Sequence, residues 1–368
     1  MRGVAVFPEI KEVRIIENGH PDLLSPTEVK LRILDVGVCG TDREICAFNY
    51  GLPPPVSEYL IIGHEALGEV IKVGPAVIRV KPGDLVVPMV RRPCSENHCV
   101  ACRSDRQDFC YTGQYTERGI KQAHGFMTEF VIEEEKYLNI VPGGLKDIAV
   151  LVEPLTIAEK ALAQVRQIQQ RLPWHSALAP GERRSQRAVV IGAGPVGLLG
   201  AMALVAAGYD TYVYSREANA DPRANLVESF EAKYISSETH SVEEIAEEVG
   251  CIDLIYEAVG VSRISFNIIR VLGPNGVFVF TGVPGHTPPS EVDTDQLMRN
   301  IVLKNQAIFG TVNAGRDDFE AAISDLSVFT TRWPDAVRAL ITGRYPIEAY
   351  ADLLLTRQGG IKNVITFY

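Results

Sequence analysis

Four cysteines crowd into one short stretch, where Cys94, Cys99, Cys102 and Cys110 give C-x4-C-x2-C-x7-C. Thiolates at such spacing can close a tetrahedral shell around one Zn2+ with no position left for a substrate, so the site would staple the loop 94–110 and do no chemistry. An iron–sulfur cluster takes the same ligands and is the rival reading. His98 lies between two of the four, but the thiolates already complete a shell without it.

A second set is dispersed along the chain. Cys39 lies in "GVCGTDRE", His64 and Glu65 in "GHEALGEV", and Glu153 in "LVEPLT". One sulfur, one nitrogen and one or two carboxylate oxygens, with room for water, compose a catalytic zinc site. Each residue also has a plainer reading. Cys39 can be a buried hydrophobe, His64 a hydrogen-bonded core histidine, and Glu153 a helix cap ahead of Pro154. Thr41 brings a hydroxyl two residues beyond Cys39, able to pass a proton or orient a substrate. Gly40 reads as a turn residue, and Asp42, Arg43 and Glu44 as structural.

The third signal is "VVIGAGPVG". Gly192, Gly194 and Gly197 stand at G-x-G-x-x-G spacing, after an apolar strand and before an apolar helix, with Ala193, Pro195 and Val196 filling the turn. In that setting the glycines serve the tight turn, close approach to a pyrophosphate and helix–strand packing, while the helix N-terminus donates N–H groups to phosphate. The next strand, "TYVY", runs into Ser215, Arg216 and Glu217, with no acid at the strand end. Ser215 can hydrogen-bond and Arg216 can pair with a 2′-phosphate, which favours NADP. Glu217 opposes a second negative charge, so NAD stays possible.

These residues need two kinds of scaffold. A chain of 368 residues accommodates two domains. Short β-like runs separated by turns ("EVKLRILDVGV", "LGEVIKVG", "FMTEFVIEEE") mark a β-rich, barrel-like part over 1–155, to which 311–368 returns. Over 156–310, strand-like runs alternate with helical patterns, the mark of a parallel sheet with crossover helices. The polar stretch "LPWHSALAPGERRSQ" reads as a loop ahead of the first parallel strand. Ala188–Gly208 carries no charge over a length that could span a bilayer, but its glycines, proline and β-branched start fit a strand, a turn and a buried helix.

Composition narrows the rest. A net charge of −10 argues against a nucleic-acid binder. Seven cysteines in a chain this long do not make a secreted disulfide scaffold, and "MRGVAVFPEI" alternates like a first strand, so a cytoplasmic protein without a membrane span is expected.

Taken together, "GVCGTD", "GHEALGEV", V-x-P-G-D-x-V, the four-cysteine loop and "VVIGAGPVGLL" resemble, in order and over nearly the whole chain, the zinc-dependent medium-chain alcohol and polyol dehydrogenases. The finer resemblance is to the archaeal-type glucose dehydrogenase branch, through "VRRPC", "TERGI", "HGFMTEF", "EKYL", "EPLTIAEKAL" and "GTVN". It implies an α/β protein made of a β-rich GroES-like catalytic domain and a doubly wound Rossmann domain. It also implies two zinc ions per chain, a homodimer or homotetramer, and oxidation of an aldose at C1 to the lactone. Cys39, His64 and Glu65 match the catalytic metal ligands, and Glu153 matches the position facing the metal or its water. Thr41, Glu117, Glu153 and Asn313 match sugar contacts. Ser215, Arg216, Gly282, Val283, Asn313 and Lys362 match the cofactor lining.

The sequence departs from that branch at Val90, where some members carry asparagine, and at Ile157, where some carry aspartate. Lost polar contacts there would relax discrimination among glucose, galactose and xylose. The first gap of the cysteine loop is also longer than the family's usual two residues. The alternatives are a polyol or other secondary-alcohol dehydrogenase on the same scaffold, a zinc-free quinone reductase, and a non-catalytic nucleotide-binding relic.

Overall fold

The computed structural model describes residues 1–174, 185–285, 289–356 and 358–367. Most of the loop expected over 172–186 falls outside these, since 175–184 are not among them. The chain forms two compact units. One comprises Met1–Thr156, Asn313–Thr330 and Val337–Tyr368; the other comprises Ile157–Val312 and Thr331–Ala336.

The first unit is built on strand β1 (Glu28–Gly37). Its early residues alternate buried with half-buried or exposed, and from Ile33 onward burial is continuous, as expected of a strand covered on both faces. Val29, Leu31, Ile33 and Val36 lie in the core of this unit. Strand β2 (Glu65–Val73) pairs antiparallel with β1, in a register that sets Glu65 opposite Gly37. Helix α1 (Gly40–Cys46) follows β1 directly. Two short strands, β3 (Arg91–Arg92) and β4 (Thr116–Arg118), pair antiparallel with Arg91 opposite Glu117. Helix α2 (Val100–Arg103) lies in the cysteine loop between them, and helix α3 (Val152–Gln169) begins at the end of this part of the chain.

The second unit holds six parallel strands: β5 (Arg187–Ile191), β6 (Asp210–Ser215), β7 (Lys233–Ser236), β8 (Ile252–Glu257), β9 (Leu272–Phe280) and β10 (Ala307–Gly310). Their spatial order is β7-β6-β5-β8-β9-β10. That is the 3-2-1-4-5-6 order of the Rossmann fold, whose direction of winding reverses between β5 and β8, where such sheets bind nucleotides at the strands' carboxyl ends. Helix α4 (Pro195–Ala206) packs its uncharged surface into this unit, with Gly197–Val205 buried. The uncharged stretch 188–208 is therefore a strand, a glycine turn and a buried helix. No helix among the described residues is long and apolar enough to cross a membrane. In the first unit, strand β11 (Lys362–Thr366) pairs antiparallel with β1.

Candidate metal centre and nucleotide turn

The dispersed set converges. Ligand atoms of Cys39, His64 and Glu65 lie within 4.8 Å of one another. Cys39 is the N-cap of α1 in extended backbone, and its N–H donates to Asp42 Oδ2 at 2.9 Å. This capping interaction orients the cysteine at the helix entrance. Gly40 has no left-handed backbone, and a Cβ there would meet nothing within 4 Å, so the expected turn role is not what the geometry asks of it. The cap makes the turn instead.

His64 follows Gly63, whose φ is +87°; a Cβ on Gly63 would press on Val36 Cγ1 at 2.9 Å and on the Met127 backbone nitrogen at 3.0 Å. Only glycine suits that crossing. Glu65 opens β2 opposite Gly37, and a Cβ on Gly37 would fall 2.2 Å from Glu65 Oε2. A glycine in β1 thus makes room for the carboxylate.

Asp42 was assigned only a structural place by the sequence, and the fold gives it more. It is fully buried, accepts from the Gly63 N–H at 3.3 Å through Oδ1, and sets that same oxygen 3.3 Å from His64 Nδ1. Nδ1 makes no hydrogen bond among the described residues, so Asp42 acts on the ring through its charge and favours a positive proton or metal ion there. Burial opposes a charged His64, but Asp42 and Cys39 outweigh it and hold its pKa well above the ordinary value. A metal ion would take the place of that proton. An acid three residues beyond an N-cap is a capping-box pattern, so Asp42 had a signal in the sequence.

Lys362, expected along the cofactor, is bonded to the converging set. Its Nζ donates to Glu65 Oε2 at 2.5 Å and to the Val38 carbonyl at 3.3 Å, and the residue is 2% exposed. Burial disfavours its charge, yet Glu65 and Cys39 raise its pKa. Glu153, buried in the first turn of α3, is not within 4.8 Å of all three converging donors. Burial, opposed by His64 and reinforced by Glu65, lifts its carboxyl to about 7. The Thr41 hydroxyl is 3.8 Å from Cys39 Sγ.

Glu117 and Asn313 are brought together. Asn313, in left-handed backbone with φ of 60°, donates from Nδ2 to Glu117 Oε1 at 3.0 Å. The Glu117 segment packs close to the histidine, because a Cβ on Gly119 would lie 2.4 Å from the Gly63 carbonyl oxygen.

Cys94, Cys99, Cys102 and Cys110 likewise place their sulfurs within 4.8 Å of one another, with no disulfide. Cys99 caps α2, and Cys110 follows the turn Gln107–Phe109. The donor set of four thiols fits a closed tetrahedral zinc, and the mixed set of Cys39, His64 and Glu65 fits an open one. His98 and His124 stand outside both groups; His124 Nδ1 accepts from the Ile61 N–H at 3.2 Å.

In the second unit, β5 runs into Gly192, whose φ is +104° and where a Cβ would strike Val259 Cγ1 at 2.4 Å. A Cβ on Gly197 would lie 2.1 Å from the Gly192 carbonyl oxygen, whereas one on Gly194 would meet nothing within 4 Å. Gly192 makes the turn, Gly197 permits helix–strand packing, and Gly194, capping α4 ahead of Pro195 and Val196, leaves its face open to a phosphate. The Ala193 N–H donates to Ser215 Oγ at 3.3 Å, and the Ser215 hydroxyl donates to Glu217 Oε2. Arg223 holds the other Glu217 oxygen at 2.7 Å, and the exposed Arg216 is 3.8 Å away. The strand ends at Ser215, as expected without an acid there, and Glu217 two residues beyond turns its carboxylate back to the Ser215 hydroxyl. A further carboxylate, Glu257, is fully buried at the end of β8 and accepts from the Val259, Gly260 and Gly282 N–H groups at 2.9, 2.6 and 3.2 Å. It fixes the backbone on which the exposed Val283 stands.

The family described as "Alcohol dehydrogenase GroES-like domain" matches residues 25–143, and the one described as "Glucose dehydrogenase C-terminus" matches 146–367. A glucose 1-dehydrogenase of Methanocella arvoryzae is 38% identical over 95% of this chain and 94% of its own length. That of Thermoproteus tenax is 37% identical over 99% of each. The crystal structure of Haloferax mediterranei glucose dehydrogenase in complex with NADP, Zn and gluconolactone superposes with a TM-score of 0.87 at 33% identity, covering 100% of this chain and 99% of that one.

Proposed function

That this chain belongs to the glucose dehydrogenase family of GroES-like alcohol dehydrogenases is the premise from which we propose its activity: zinc-dependent, NAD(P)-linked oxidation of D-glucose at C1. The observation that carries the proposal is the convergence of Cys39, His64 and Glu65 in a chain that also holds the glycine turn Gly192–Gly197. The gluconolactone of the Haloferax complex names the corresponding product.

In this reading the C1–H bond of the pyranose breaks with its electron pair passing to the nicotinamide, the O1 proton leaves, and a C1 carbonyl forms. Zinc held by Cys39, His64 and Glu65 supplies Lewis acidity that makes the hydroxyl a better acid. Glu153 borders those three residues, and the Thr41 hydroxyl, adjacent to Cys39 Sγ, gives the proton a first partner. Glu117 and Asn313 are the sugar contacts; polar groups set to meet a sugar hydroxyl and left unpaired penalise simple alcohols. Gly192, Ala193, Gly194, Pro195, Val196 and Gly197 cradle the pyrophosphate, with Ser215, Arg216, Gly282 and Val283 along the nucleotide. The cofactor is NADP by preference, read through Arg216, with NAD accepted. Zinc at Cys94, Cys99, Cys102 and Cys110 staples its loop.

The assembly proposed is a homodimer or homotetramer. The sheet edge at β10 and the exposed Met298, Val302 and Leu303 on helix α5 (Thr294–Leu303) support self-association. Cysteines placed to hold zinc as thiolates, with none in a disulfide, support a reducing, cytoplasmic setting.

A rate panel tests the reading: glucose, galactose, xylose and sorbitol, each with NAD and NADP, alongside metal analysis. Aldose turnover with two zinc per chain is expected. Turnover confined to sorbitol would make the protein a polyol dehydrogenase, and one zinc with no turnover would make it a relic.

A further inference from the structure

We infer that Arg91 is a positioning residue that aims Glu117 at a sugar hydroxyl and ties that aim to the four-cysteine loop. The inference rests on the reading of Glu117 as a sugar contact. Arg91 and Glu117 face each other across β3 and β4, and both are 5% exposed. Arg91 Nε and Nη2 donate to Glu117 Oε1 at 3.1 and 3.0 Å, and Asn313 Nδ2 donates to the same oxygen at 3.0 Å. Three donors saturate Oε1, while Oε2 has no partner among the described residues. Oε2 is not sealed from solvent, so water meets it in the free protein and a substrate hydroxyl can take that water's place.

The guanidinium is itself held. It stacks on the Tyr115 ring at 3.7 Å, and Nη1 donates to the Asp108 carbonyl at 3.1 Å, two residues before Cys110. Arg106 grips the Asp108 carboxylate at 3.0 and 2.8 Å, and its Nε would lie 2.9 Å from a Cβ on Gly315. The stretch 106–110 therefore backs Glu117 through Arg91 and abuts the segment that follows Asn313. A loop that carries no substrate chemistry sets the direction of a carboxylate that does. Lysine at 91 keeps the charge but loses the two-pronged grip.

The test compares Arg91→Lys, Arg91→Met and Glu117→Gln with the parent, each as the zinc-loaded full chain. Arg91→Met is expected to raise the glucose KM about tenfold or more, leave the NADP KM within about twofold, and hasten loss of one zinc to a chelator, with Arg91→Lys between. Parental turnover of glucose checks the functional reading separately. If Glu117→Gln leaves the glucose KM unchanged, the role of Glu117 fails and the inference with it. If Glu117→Gln raises it but both Arg91 variants stay within about twofold, Arg91 has no positioning role. Equal damage to both KM values and to thermal stability also overturns the inference, as the mark of a merely structural residue. Should Arg91→Met fail to fold, Arg91→Lys decides by the same readouts.

Discussion

Asp42 Oδ1 lies 3.3 Å from His64 Nδ1, and the same carboxylate accepts the Cys39 N–H at 2.9 Å. One buried acid thus orients two of the three converging metal donors. Without a hydrogen bond to Nδ1, that carboxylate acts on the ring by its negative charge, which favours a cation at the histidine.

Asp42→Asn keeps the volume but puts an amide donor against groups that already donate. Affinity for the catalytic zinc should fall roughly 10–100-fold. Chelator competition measures it, and unchanged affinity would remove Asp42 from this role.

Cys39→Ser should lower zinc from two per chain to one and abolish turnover, while cofactor binding persists in the separate nucleotide turn. Elemental analysis with nucleotide titration checks both halves. Full activity in this variant would return Cys39 to the core.

Gly37→Ala would set a methyl 2.2 Å from Glu65 Oε2. The carboxylate cannot move without leaving Lys362, so the change should cost about 1–3 kcal/mol and displace the catalytic zinc. A thermal melt with metal analysis reads both effects; parental values in both would mean that β1 yields freely.

Lys362→Met strands the Glu65 carboxylate in a site that is 2% exposed on each side of the pair. Breaking a buried pair costs about 3–5 kcal/mol, so the unfolding midpoint should drop, and Glu65→Gln in the same chain should recover part of it. No recovery would show that the two residues do not act as a pair.

Glu217→Gln removes a charge that would oppose a 2′-phosphate and frees Arg223 from its 2.7 Å bond. The NADP-over-NAD ratio of kcat/KM should rise about tenfold, and Arg216→Ala should lower it. Steady-state kinetics with both cofactors decides; a ratio unmoved by either variant would place 2′-phosphate recognition elsewhere.

Much of the molecule could be read along the chain. Alternating apolar runs and helical patterns announce a parallel sheet, because periodicity is local. The glycines at 192, 194 and 197 show themselves because a tight turn must be contiguous. Four cysteines within one loop are self-evident for the same reason. Cys39, His64 and Glu65 could be nominated by residue type, since few side chains bind zinc.

What stayed hidden were the partners of those groups. Glu65 and Lys362 are 297 positions apart, and Glu117 and Asn313 are 196 apart. Spacing does not record which strands pair, so neither the Lys362–Glu65 pair nor the Arg91–Glu117 pair could be read along the chain. The return of the Glu217 carboxylate to Ser215 was hidden too, because that contact depends on how the chain turns after the strand. The sequence by itself determined which chemical groups this protein possesses and the local turns that carry them. Only the tertiary structure decided which charges face each other, because burial pairs each ion with whatever the sheet register sets against it.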